Sequence, residues 1–165
     1  MIARTCRVAA ILAAMSWSAA GCALFPSDPA GPVFGARVEH GVILVKIPTC
    51  PGLLQTRLNV LDSDTGSETP IWWASNPDSE AARRGEVELF TGKGFRHSMP
   101  APTTVPHNID VSYVDSKGDG WGAVFNVKEI SEQKLSAGQY WTEDGPKTAD
   151  QIDVLAQCRA QESAS

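Results

Sequence analysis

Soft and imidazole side chains are scarce in this chain. Its 165 residues include three Met and three His, and beyond Met1 and Met15 only Met99 remains. Copper(I)-type centres gather several soft ligands, so the lone His97-x-Met99 pair reads as ordinary loop. The acidic stretch Asp62-x-Asp64-x-Gly66-x-Glu68 has Gly where a calcium loop wants an oxygen ligand and lacks the distal Glu, so it reads as a turn. Neither a metal nor a cofactor is expected. A nucleophile elbow, a Gly-rich phosphate loop, an H-E-x-x-H pair and C-x-x-C spacing are all missing, which disfavours an enzyme. Paired carboxylates of a small hydrolase stay open, because three-dimensional spacing sets them. Basic residues are outnumbered, 14 against 19 acidic, and an acidic surface argues against nucleic acid as a partner. After Ala20 no run of 18 apolar residues occurs, so no membrane-spanning helix is expected there.

What is present begins with a signal. Arg4 and Arg7 precede an uncharged run from Val8 to Ala20. Thirteen residues are too few to span a bilayer but fit the apolar core of a signal peptide. The run ends in Ser18-Ala19-Ala20-Gly21-Cys22, which resembles a bacterial lipobox. That resemblance implies a diacylglyceryl group on the Cys22 sulfur and cleavage that leaves Cys22 as the first residue. Ala19 stands where Leu, Val or Ile is more usual, and the rival is ordinary cleavage near Ala20 or Gly21. The expected location is the cell membrane, lipid-anchored and facing the extracytoplasmic side.

With 1–21 removed, the mature chain has 12 basic and 19 acidic residues, a net −7. Its 144 residues suit one domain. Cys6 leaves with the signal and Cys22 carries the lipid, so Cys50 and Cys158 remain. In an exported protein two leftover thiols most simply pair. A bridge closing a loop of about 110 residues would contribute roughly 4–5 kcal/mol on the chain-entropy model.

Residues 22–36, rich in Pro and Gly, read as a tether. Short strand signals follow. Val38 to Ile47 is apolar on both faces and reads as one buried strand. Leu53 to Leu61 alternates, with Leu54, Leu58 and Val60 inward. Ile71 to Ser75 and Glu86 to Thr91 are further strands, and 76–85 holds a helical turn. Gly92 to Pro106 reads as a long loop. Asn108 to Asp115 and Trp121 to Ile130 flank a hairpin turn, with Trp121, Ala123, Phe125 and Val127 on one face. Gly138 to Thr142 is a seventh strand, and Thr148-Ala-Asp-Gln151 opens a short helix with a capping box. The expected fold is all-β: a single Ig-like or fibronectin-like β-sandwich of six to seven strands over 37–159, with a short C-terminal helix. A disordered tail is expected at 160–165.

The stretches Ile47-Pro-x-Cys50, Gly138-Gln-Tyr-Trp-Thr142 and Thr148-Ala-Asp-Gln151 resemble small lipoproteins of actinobacteria, a resemblance that implies a fold and no activity. The aromatic pairs carry the functional expectation. Trp72 and Trp73 are adjacent on a strand and must face opposite ways; Tyr140 and Trp141 repeat the arrangement. Exposed together, Trp72, Trp73, Tyr140 and Trp141 would form a binding surface for a glycan or protein. The chain is expected to be a lipid-anchored, non-catalytic binding module of the cell envelope. The alternatives are a small envelope hydrolase and a purely structural component.

Overall fold

Alternation of apolar and polar residues folds most of this chain into antiparallel strands. The computed structural model describes residues 31–52 and 54–156, which belong to a unit that begins at Gly31. The signal segment, Cys22, Cys158 and the tail 160–165 lie outside the described residues.

The stretch expected to be one strand is a hairpin of β1 (Gly35–Glu39) and β2 (Val42–Lys46). Its two central residues, His40 and Gly41, have φ of 51° and 81°, the twist that two-residue hairpin turns require. Phe34 and Ala36 are buried in the core, so the expected tether of 22–36 stops short of Phe34. Both residues pack where a solvated linker would leave the core open.

β3 (Gln55–Asp62) lies between β4 (Trp72–Pro77) and β7 (Asn108–Asp115). Leu58 and Val60 point into the core as expected, but Leu54 is 61% exposed. It precedes the strand, and a bulge between Gln55 and Arg57 breaks the register that would have aligned it. A short helix α1 (Glu80–Arg83), capped by Ser79, leads to β5 (Glu86–Glu88). The expected loop at 92–106 contains β6 (Phe95–Ser98), which pairs with β4.

β8 (Gly120–Asn126) follows the expected hairpin from β7. It ends four residues before Ile130, because Asn126 caps α2 (Val127–Glu132) by accepting from the Glu129 N–H. Ile130 still reaches the core, now from a helix. Trp121 shares a face of β8 with Ala123 and Phe125, as expected, but at the start of this edge strand it is 39% exposed. β9 (Gln139–Thr142) and β10 (Gly145–Thr148) form a second hairpin. The Thr148–Gln151 capping box is present and opens α3 (Ala149–Leu155).

The ten described strands make two antiparallel five-stranded sheets, ordered β10-β9-β1-β2-β5 and β6-β4-β3-β7-β8. Six to seven were expected; the excess comes from the two hairpins and the edge strand β6. One apolar cluster joins the sheets. Ala36, Val45 and Val87 come from the first, and Val60, Trp72, Ile109 and Val111 from the second. Each fully buried large aliphatic side chain contributes about 1.5–3 kcal/mol. α3 covers the opposite face of the first sheet, where a Cβ on Gly35 would stand 2.6 Å from Ile152 Cδ1.

Candidate functional site

The four aromatic residues expected to form one surface occupy four different environments. Trp72 is fully buried, and its Nε1–H donates to the Met99 carbonyl at 2.9 Å. Trp73, its neighbour on β4, lies on the outward face of the same sheet, as strand alternation requires. The Arg57 guanidinium stacks over its ring at 4.8 Å, and Arg57 Nε donates to Asn59 Oδ1 at 2.8 Å. Tyr140 is buried beside Gly35, with the Arg37 guanidinium 5.1 Å from its ring. Burial, followed by the nearby Glu86 carboxylate, pushes the Tyr140 phenol above its ordinary pKa. Trp141 pairs in register with the core residue Ala36 and packs partly against the core. The correction has a simple cause. Each pair alternates across its strand, and β4 and β9 belong to different sheets.

Of the four, Trp141 lines a cleft whose walls include β8, α2 and β9. This cleft has a volume of about 430 Å³, within the range of small-molecule sites. Its apolar lining comes from Phe34 ahead of β1, Phe125 on the edge strand β8, Ile130 on α2 and Trp141 on β9. Two carboxylates complete it. Glu129 lies in the first turn of α2, where the Asn126 side chain fixes its backbone. Glu143 sits in the β9–β10 turn, which is held by a 2.7 Å bond from the Thr142 hydroxyl to the Gly145 carbonyl. Both residues are exposed, and neither carboxylate forms an ion pair among the described residues. The side chains that define the cleft therefore come from elements of both sheets and one helix.

A second, shallower groove of about 430 Å³ runs over the outward face of β7 and β8. Gly120 and Gly122 leave the β8 backbone bare there, opposite Val114 and Ser112. Asp110 Oδ1 is buried in this groove with no hydrogen-bond partner. Burial raises the Asp110 carboxyl above its ordinary pKa.

No family model, curated protein or solved structure matches the chain.

Function is therefore read from the geometry of these sites. Glu129, Glu143 and Asp110 were missed in the sequence. Glu129 carries a readable signal, three residues after a capping Asn, and Gly120-Trp-Gly122 marks one bare face of a strand. Glu143 has none, because its place depends on a hairpin that brings the β9–β10 turn to the edge of α2. Among the described residues, no three His, Cys, Asp or Glu side chains gather as a metal site would need. Asp64, in the acidic turn, ties that turn to β7 by accepting from the His107 N–H at 3.0 Å and the Asn108 side chain at 2.6 Å.

Proposed function

We propose that this chain is an envelope lipoprotein, anchored through Cys22, whose β-sandwich is a non-catalytic binding module that takes its ligand in the Trp141 cleft. The observation that carries the binding site is the cleft itself: one concavity in which the Trp141 indole, a largely aromatic apolar lining and two unpaired carboxylates converge. Support for the anchor is the sequence of Ser18–Cys22 after an uncharged apolar run. Residues 23–30 lie between Cys22 and Gly31, the first residue of the cleft wall, and give at most roughly 30 Å of extended reach from a membrane surface. Among the described residues no helix is long and apolar enough to cross a membrane.

The Ig-like character of the sandwich is part of the same proposal. Its support is the pairing of β8, β7, β3, β4 and β6, which follows the order G-F-C-C′-C″ of variable-type domains. The pairing β1-β2-β5 likewise follows A-B-E. β5 departs from that plan by preceding β6 in the chain.

Mass spectrometry of the mature protein tests the anchor; a chain starting at an unmodified Ala or Gly refutes it. A panel of glycans and small metabolites, read by thermal shift, tests the cleft. Trp141→Ala is expected to abolish the hits while Trp73→Ala keeps them, and hits that survive Trp141→Ala refute the site. The hydrolase alternative draws on the same two carboxylates. Turnover of a chromogenic glycoside that is lost in both Glu129→Gln and Glu143→Gln would establish it in place of the binding module.

A further inference from the structure

Two aromatic rings of this molecule already hold a cation from within the chain. Arg57 covers Trp73 at 4.8 Å and Arg37 covers Tyr140 at 5.1 Å. Trp141 differs from both, since among the described residues no guanidinium or ammonium stands over its ring. Yet its surroundings are those that favour a cation. Indole is the strongest of the aromatic faces for a positive charge, and Glu129 and Glu143 line the same cleft without an ion pair of their own. Among the described residues no lysine or arginine lines the cleft. Phe34, Phe125 and Ile130 among the other lining residues offer apolar surface to the body of a ligand, and Asn126 and Thr142 add polar but uncharged side chains.

We infer that the cleft binds an organic cation: an amine or quaternary ammonium group carried on an apolar body. This rests on the reading of the cleft as the binding site and adds the chemical class of its ligand. The cationic head lies against the Trp141 face between the two carboxylates, and the apolar body fills the space lined by Phe125 and Ile130. A neutral ligand would leave both carboxylates unused. An anionic one would meet two like charges on a molecule that is already net acidic.

The test uses the mature chain from residue 22 with Cys22→Ser, labelled with nitrogen-15. The Trp141 indole N–H signal is assigned by Trp141→Phe and followed while benzyltrimethylammonium, benzyl alcohol or phenylacetate is added. The Trp72 and Trp73 signals serve as internal controls. Benzyltrimethylammonium is expected to shift Trp141 saturably, and the other two to leave it in place. Glu129→Gln and Glu143→Gln should each weaken that binding by roughly 2–5-fold, with a further loss at high salt. If benzyl alcohol or phenylacetate shifts Trp141 as strongly, the cation inference is overturned while the cleft stands as a site. If no probe moves Trp141, the inference is overturned, and the thermal-shift panel decides the cleft separately. If benzyltrimethylammonium binds only after residues 22–30 are removed, that segment is the occupant and the inference is again overturned.

Discussion

Lys46 is fully buried on the face of the first sheet that α3 covers. Its ammonium donates to the Ile47 carbonyl at 2.9 Å, the Arg84 carbonyl at 2.6 Å and Asp153 Oδ1 at 2.6 Å. Three donors thus meet three acceptors, the condition under which a buried ammonium is tolerated. Asp153 is asymmetric to it: its side chain is 31% exposed against 1% for Lys46, and it also accepts from the Thr49 N–H and hydroxyl. Removing the anion should therefore hurt more than removing the cation. Asp153→Ala leaves a buried charge unpaired and is predicted to cost about 3 kcal/mol, against roughly 1 kcal/mol for Lys46→Met, by chemical denaturation. Burial, the dominant cause, holds the folded Lys46 below its ordinary pKa of 10.5. Between the folded value and 10.5 the unfolded chain binds more protons, so stability should rise with pH in that alkaline window. Lys46→Met should lack the rise. Asp110 gives the acid counterpart. Its folded pKa is raised above 3.8 by burial, so the unfolded chain loses its proton first and stability falls as pH climbs past 3.8. Asp110→Asn is predicted to melt higher than the parent at pH 7, with the gap closing by pH 3; an equal or lower melting temperature at pH 7 would contradict this.

At the scale of elements, the docking of α3 depends on Gly35. A Cβ there would lie 2.6 Å from Ile152 Cδ1 and 2.7 Å from Tyr140 Cβ, both buried and hemmed in. Gly35→Ala is predicted to cost about 1–3 kcal/mol through overpacking; a melting temperature within a degree of the parent's would contradict the contact. Which elements were legible in the sequence follows from how local their signals are. The α3 capping box, the β7–β8 hairpin and the inward set Leu58, Val60, Ile109 and Val111 depend on neighbours a few residues apart, and they could be read. The β1–β2 hairpin could not, because apolar residues flank both sides of a His-Gly turn and hide the reversal. α2 was masked by the β-like run that precedes it, although Asn126 marks its start. β6 could not be read because an edge strand of four residues depends on pairing with β4, a partner some twenty residues earlier in the chain. The cleft was legible only as the residue type of Trp141. Its other walls come from elements distant in sequence, and no periodicity announces which faces converge.

For the whole molecule, the question is what ties the C-terminal helix to the sheets. Asp153 on α3 bonds to Thr49, the residue next to Cys50, at 2.8 and 3.0 Å. Cys158 follows Asp153 by five residues in the sequence and lies outside the described residues; we propose, from the two leftover thiols of an exported chain, a Cys50–Cys158 bridge. Non-reducing peptide mapping should recover these two peptides joined, and reduction should lower stability by roughly 4 kcal/mol; free thiols at both positions would sink the bridge. The acidic balance, −7 for residues 22–165, belongs to this scale too. It concentrates cations near the surface at low salt and fits a cationic ligand at the cleft.

A fragment screen of the nitrogen-15-labelled chain from residue 22, read by chemical-shift mapping, tests the central claim most directly. Binding through one cleft predicts that perturbations from the hits cluster at Trp141, Glu129, Glu143 and Ile130. Perturbations gathered instead on the outward face around Trp73 and Arg57, or scattered without a centre, would contradict it.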